Sequence, residues 1–265
     1  MALEGLHHIT AITADAPANV DFYTRLLGLR MVKKTVNFDA PDVYHLYYGD
    51  EHGTPGSILT FFEFPGAARG RAGDGMVHRI RWRVGSADAL ASWQERLGIS
   101  GSVFADPEGL EHELVVVEDG AAGHDLQGFH GVRAYASAPE RSDGLLEALG
   151  LDPALYLRDA PPAERGLQGA GTIHHVAWSA ADDAELTEYR SRAAAAGAHP
   201  TPIIDRQYFH SVYFREPGHV LFELASRDIG FTVDEPLESL GHELKLPPQH
   251  EHLRAALERT LTPLP

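Results

Sequence analysis

Sixteen histidines in a chain with no cysteine pose the first chemical question. Neutral imidazole is the commonest protein ligand for transition metals, and thiolate sites are excluded outright. Two histidines stand second in matched doublets, His8 after His7 in LHHIT and His175 after His174 in IHHVA. Each doublet opens a strand-like run, and a later run, HVLFELA (219–225), carries Glu223. Alternate residues of a strand share a face, so two such strands brought together would gather His8, His175 and Glu223. Two imidazoles and one carboxylate are the ligand set of the facial triad that leaves open positions on non-haem Fe(II). A lone strand histidine is more often a hydrogen-bonded structural residue; the matched contexts raise these two above that reading. The other doublet members, His7 and His174, are expected as outer groups unless a bulge turns both rings inward. A formally similar second set, His78 and Glu113 with His130, lacks the doublets, since its histidines follow Val77 and Phe129. It is expected to be a vestige of symmetry.

The elements that must hold these side chains recur four times. Gly28 lies 20 residues after His8, Gly98 20 after His78, Gly150 20 after His130 and Gly197 22 after His175. Between each pair, apolar residues follow helical spacing, as in Val20, Tyr23 and Leu27 or Leu90, Trp93 and Leu97. The glycine then ends the helix. Strand-like runs follow, among them YHLYY (44–48), SILTFFEF (57–64), ELVVV (113–117) and SVYF (211–214). The repeat therefore predicts an α+β protein of four βαβββ modules, the third shortened, with helices outside curved sheets. Residues 1–126 hold modules one and two, 127–232 the shortened third and the fourth, and 233–265 a tail with a helix over about 248–261.

The 265 residues carry 22 Lys and Arg against 38 Asp and Glu, a formal charge of −16. Such a surface repels a phosphate backbone, so no nucleic-acid partner is expected. No apolar run has the length of a membrane span and the start lacks a basic-then-apolar leader, so no membrane partner and a cytoplasmic location are expected. Short exposed sheet edges are compatible with a homodimer.

LHHIT, YHLYYGDEHGTPGSILT, IHHVAW, DRQYFHSVYFREPGHVLFE and GFTVDEPLESLGHELKLPPQ together resemble the ring-cleaving dioxygenases of the vicinal oxygen chelate superfamily, over nearly the whole chain. The similarity is to the Fe(II) branch typified by hydroquinone and chlorohydroquinone 1,2-dioxygenases. It implies a metal triad of His8, His175 and Glu223, in agreement with the reading above, and modules one and four sharing one sheet-lined cup while two and three form the other. It also implies pocket roles for His7, Thr10, His174, Arg206 and Tyr213. His7 or His174 would be the general acid/base, and Tyr213 and Arg206 would bind substrate oxygens. The substrate would be a dihydroxylated aromatic, hydroquinone- or catechol-type, with O₂, on Fe(II) or alternatively Mn(II). Departures are the short third module and His210, which stands where an acidic pocket residue is expected and which is assigned to substrate specificity.

Two other functions fit the same architecture. A glyoxalase- or isomerase-type metalloenzyme would need a fourth protein ligand. Counting six residues from each turn proline sets Phe61, after Pro55, opposite Glu223, after Pro217, with Glu63 two residues further on. Phe61 cannot ligate, so that reading rests on Glu63. A small-molecule-binding resistance protein would need a pocket and no triad.

Overall fold

The computed structural model describes residues 2–265. The first module runs β1 (Leu6–Thr13), α1 (Ala16–Val20, continued by a π-helical turn over Asp21–Leu26), β2 (Arg30–Asn37), β3 (Ala40–Gly49) and β4 (Ile58–Glu63). The second is β5 (Val77–Val84), α2 (Ala87–Leu97), β6 (Val103–Ala105) and β7 (Glu111–Val116), and the third β8 (Phe129–Tyr135), α3 (Asp143–Leu149) and β9 (Tyr156–Asp159). The fourth is β10 (Ile173–Ala180), α4 (Asp183–Ala195), β11 (Ile204–Asp205), β12 (His210–Arg215) and β13 (Leu221–Ser226).

Local chemistry sets the helix ends. The side chains of Asp15, Ser86 and Asp182 accept hydrogen bonds from backbone N–H groups of the first turns of α1, α2 and α4. The four landmark glycines, Gly28, Gly98, Gly150 and Gly197, close their helices at φ of +73°, +66°, +63° and +89°, a region costly to residues with a Cβ. The βαβββ unit is complete only in the first and fourth copies. The third is reduced to βαβ, and the second, against expectation, to βαββ. Only residues 99–102 separate Gly98 from β6, enough for a turn but not for another strand.

Two sheets result. One has the order β11-β12-β13-β10-β1-β4-β3-β2 and the other β6-β7-β5-β8-β9. The first and fourth modules thus share one sheet, joined where β1 pairs antiparallel with β10, and the second and third share the other. Each sheet draws on both halves of the chain, 1–126 and 127–232. The apolar core lies between the sheets and the helices, with Tyr23, Phe61, Trp82, Trp178 and Phe222 fully buried. One polar knot crosses it. Trp82 donates to Nδ1 of His112 (3.1 Å), His112 Nε2 meets the Tyr23 hydroxyl (3.1 Å), and Tyr23 donates to Asp106 (3.0 Å).

The tail lies along the edge strand β2. Buried Lys33 pairs with Asp234 and Glu235 at 2.7 Å each, Lys245 N–H donates to the Lys34 carbonyl, and His250 Nε2 lies 2.9 Å from the Phe38 carbonyl. Its helical end comprises a 3₁₀ stretch, Pro248–Leu253, leading into α5 (Arg254–Thr260). Among the described residues no helix is long and apolar enough to cross a membrane.

Candidate metal centre and its pocket

Three neighbouring strands build the centre. His8 on β1 pairs with Ala177 on β10, and Ala177 pairs with Glu223 on β13, so these three residues form one row across the sheet. His175 lies two residues before Ala177 and shares its face. The fully buried Ala177 is small, and the longer His8 and Glu223 side chains meet above it. His8 Nε2 lies 3.3 Å from His175 Nε2 and 3.2 Å from Glu223 Oε2, and His175 Nε2 lies 2.9 Å from the same oxygen.

That triangle fits a metal ion. Donors about 2.1 Å from an ion are about 3.0 Å apart at octahedral angles and about 3.4 Å at tetrahedral ones, from ordinary metal–nitrogen distances. Glu223 Oε2 is buried with no hydrogen-bond partner, while Ser211 donates to its other oxygen at 2.5 Å. A buried carboxylate oxygen without a donor is expensive. A cation bound between it and the two imidazoles removes the cost. Among the described residues, His8, His175 and Glu223 are the group that could hold a metal.

Both doublets sit on β-bulges. The β1–β10 register slips between Leu6 and His8 on one strand and, opposite Thr10 and Ala11, between His175 and Ile173 on the other. His7 and His174 are therefore the extra residues, and each ring turns back on its neighbour: His7 Nδ1 is 3.0 Å from His8 Nδ1, and His174 Nδ1 is 2.8 Å from His175 Nδ1. If Nε2 of His8 and His175 is to ligate, their Nδ1 atoms must carry the protons and donate to the neighbours. His7 and His174 then carry their own protons on Nε2.

Their surroundings differ. His7 is buried and its Nε2 reaches the Ser226 carbonyl at 3.1 Å, so it stands behind His8 and does not line the pocket. His174 stands at the pocket wall, exposed as a residue but part-buried where its ring meets His175. Burial, with the neighbouring ligand ring adding to it, pushes the pKa of His7 down to about 3 and of His174 down to about 4. For Glu223, burial works upward, but His8 and His175 overcome it and hold the carboxyl well below its usual range.

The pocket above the triad has a volume of about 390 Å³. Rings of Phe62, Phe209, Tyr47 and Tyr213 form much of its wall, with His45, His174 and Arg206 as polar groups and Asn37, Phe38 and Asp39 at the β2–β3 turn. Arg206 Nε donates to the Tyr213 hydroxyl at 3.3 Å, and Arg206 Nη1 lies 3.2 Å from Asp39. Burial and the Glu223 charge push the Tyr213 pKa up, so the phenol keeps its proton. Because its oxygen accepts from Arg206, that proton is free to face the pocket.

Several expected residues are placed elsewhere. Thr10 is fully buried beneath the pocket, its hydroxyl 2.8 Å from that of Thr60. His210 is not a pocket residue. Ser211 and Tyr213 face Glu223 on β12, so strand alternation turns His210 to the other side, where Nδ1 lies 2.6 Å from Asp183. The residue related to Glu223 is Thr60 and not Phe61. Thr60 pairs with Thr10, two residues after His8, as Glu223 pairs with Ala177, two residues after His175. The first-module turn is one residue shorter, which misled the count from proline. Phe61 and Glu63 share the opposite face, where Phe61 enters the core and Glu63 accepts from the Ala16 N–H at 3.2 Å.

In the second set, arginine stands where a cation would. Glu113 Oε2 is ringed by Arg79, Arg81 and Arg133 at 3.8, 3.7 and 3.9 Å, and His78 Nε2 lies 2.9 Å from Asp159. Sequence reasoning missed His45, Tyr47, Phe209 and Asp39. The alternation in YHLYY held the signal for the first two, since His45 and Tyr47 lie two apart on a strand beside β4.

The family model for the Glyoxalase/Bleomycin resistance protein/Dioxygenase superfamily matches residues 5–127. The chain is 39% identical to the "Putative ring-cleaving dioxygenase MhqO" of Bacillus subtilis, with 98% of this chain and 96% of that protein covered. It is 33% identical to the chlorohydroquinone/hydroquinone 1,2-dioxygenase of Sphingobium indicum over 98% and 96%. A crystal structure of a Bacillus subtilis protein, titled as a "putative dioxygenase", superposes with a TM-score of 0.92 at 37% identity, covering 100% and 98%. Glyoxalase I from Zea mays, at 14% identity, TM-score 0.59 and coverage of 90% and 97%, shares the fold. With its fold, its paired modules and these full-length relatives, the chain belongs to the glyoxalase, bleomycin resistance protein and dioxygenase superfamily.

Proposed function

We propose that this chain is an Fe(II)-dependent ring-cleaving dioxygenase acting on a hydroquinone-type aromatic. The observation that carries the reading is the count of protein donors. His8, His175 and Glu223 converge, and the symmetry-related slot that could supply a fourth carboxylate holds Thr60, whose hydroxyl is engaged by Thr10 and His45. A ring-lined pocket directly above the triad supports an aromatic substrate, as do relatives named for ring cleavage. The absence of a carboxylate at Thr60, with Glu63 on the far face, tells against the glyoxalase-type alternative.

Fe(II) held by the triad would supply Lewis acidity toward a phenolic oxygen and redox chemistry toward O₂. Mn(II) suits the same donors. The chain's own residues do the positioning. Ser211 fixes Glu223 so that Oε2 projects, and the His7 and His174 rings fix the tautomers of His8 and His175. Neutral His174 keeps its Nε2 proton as a donor to a bound oxygen, which makes it the candidate proton-handling group; His7, walled off from the pocket, is a positioning residue. The Tyr213 hydroxyl and the Arg206 guanidinium stabilise negative charge on ring oxygens.

Anaerobic loading with Fe(II) followed by O₂-uptake measurement over a panel of dihydroxybenzenes tests the reading. Uptake of one O₂ per hydroquinone with loss of the aromatic absorbance is expected. Binding without uptake would instead favour a sequestering protein, and metal-dependent isomerisation without uptake the proton-transfer class.

A further inference from the structure

The pocket contains a hydrogen-bonded array that the roles above leave unused. The Tyr47 hydroxyl lies 2.9 Å from His45 Nδ1, His45 Nε2 lies 2.8 Å from Thr60 Oγ1, and Thr60 Oγ1 lies 2.8 Å from Thr10 Oγ1. Register explains the line-up, because Tyr47 pairs with Thr60 across β3–β4 and Thr60 with Thr10 across β4–β1. Tyr47 and His45 border the pocket; the two threonines are fully buried under it.

Each member of such an array can donate or accept, so the array has two consistent polarities. In one, Tyr47 donates to His45 Nδ1, His45 Nε2–H donates to Thr60, Thr60 donates to Thr10, and the Tyr47 oxygen offers a lone pair to the pocket. In the other the three hydroxyls rotate and the imidazole proton passes from Nε2 to Nδ1 by exchange with solvent: Thr10 donates to Thr60, Thr60 to His45 Nε2, and His45 Nδ1–H to the Tyr47 oxygen, whose own proton then faces the pocket. Three hydrogen bonds within the array survive in both. Burial pushes the His45 pKa well down and the Tyr47 pKa well up, so both groups stay neutral and the array reorients without storing a charge.

The other polar groups on the pocket wall have fixed senses. Arg206 only donates, His174 presents Nε2–H, and Tyr213 accepts from Arg206 and so donates outward. The Asp39 carboxylate at the mouth is held by Arg206. Apart from Asn37, whose Oδ1 already accepts from the Asp39 N–H, the group on the wall that can change between accepting from a ligand and donating to it is Tyr47. We propose that the Tyr47–His45–Thr60–Thr10 array is a reversible polarity switch that lets the pocket accept a hydrogen bond from a hydroquinone hydroxyl or donate one to an acceptor-only quinone. This rests on the aromatic-ligand reading of the pocket, and Tyr47 acts on the ligand while His45 and Thr60 are positioning residues.

The test is binding by the full chain loaded with redox-inert Zn(II), with hydroquinone and 1,4-benzoquinone as anaerobic probes; the chain has no thiol to react with the quinone. Thr60→Val removes the partner of His45 Nε2 in both polarities and so uncouples Tyr47 and His45 from the buried threonines. It is expected to shift the ratio of the two Kd values at least fivefold, in either direction, and Thr60→Ser to restore it. In the wild-type chain, the ¹⁵N signals of His45 should exchange tautomer on replacing one probe by the other. If Thr60→Val does not fold, Thr60→Ala carries the same expectation. A ratio within twofold of wild type in a folded, Zn(II)-binding variant overturns the switch. Failure of the wild-type chain to bind either probe removes the aromatic reading and the switch together, an outcome distinct from an unmoved ratio.

Discussion

At the residue scale, two identical doublets end in different chemistry. His8 and His175 were legible from their matched contexts, because a ligand at an equivalent point of a repeated strand needs only alternation to be placed. The fates of their neighbours were not legible. His7 is captured by the carbonyl of Ser226, 219 residues away in the chain, whereas His174 meets no such acceptor among the described residues and lines the pocket. Replacing His7 with Ala leaves His8 Nδ1 without its acceptor, so metal affinity is expected to fall by about 10- to 100-fold, as for other outer partners of ligating histidines; a metal titration checks it. Tyr213→Phe keeps the ring but removes the donor facing the pocket. Its kcat is expected to fall by roughly 10²-fold, as for loss of one preorganised donor, with metal content unchanged by elemental analysis. A fall in metal content instead would move Tyr213 into the ligand sphere.

At the element scale, strand register decides how many ligands the centre has. The row His8–Ala177–Glu223 and its symmetry mate His175–Thr10–Thr60 differ in their last member, and that difference would leave corners of a bound ion for reactants. The repeat predicted the four helices and their glycine stops, and the family resemblance implied that modules one and four share a cup. The repeat did not predict the lost strand of the second module, nor that the shorter first turn sets Thr60 and not Phe61 at the slot, because a one-residue slip reverses which side chains face the pocket. His210, placed in the pocket by the family resemblance, lies on the other face of β12 beside Asp183. Thr60→Glu supplies the missing carboxylate. The variant is expected to keep or tighten metal binding and to lose O₂ uptake by at least about 10²-fold, on the ground that a filled corner cannot bring both reactants together; paired metal titration and O₂ uptake measure this.

At the scale of the whole molecule, the second sheet repeats the architecture of the first with charge pairing in place of a triad. Guanidinium groups surround Glu113, and no doublet flanks His78 or His130. The first and second modules are joined through the buried knot of His112, Tyr23, Trp82 and Asp106. Burial pushes the His112 pKa down to about 3, against about 6.5 when unfolded. Between those values the unfolded chain takes up a proton that the folded chain refuses. Stability is therefore full above about pH 6.5 and falls on acidification, by about 1.4 kcal/mol per pH unit for one such group. Urea unfolding of the metal-free chain at several pH values between 7.5 and 5 should show this limb, and His112→Gln should make it shallower by about one proton. An unchanged slope would mean that His112 is not held neutral. None of this was visible in the sequence, where His112 lies in EHELVV as an ordinary strand residue.

The most direct measurement is a crystal structure of the chain loaded anaerobically with Fe(II), with the ion located by its anomalous signal. The expected result is one iron bonded to His8 Nε2, His175 Nε2 and a Glu223 oxygen, with solvent at its remaining positions. Iron bound elsewhere, or a fourth side chain on the metal, would contradict it.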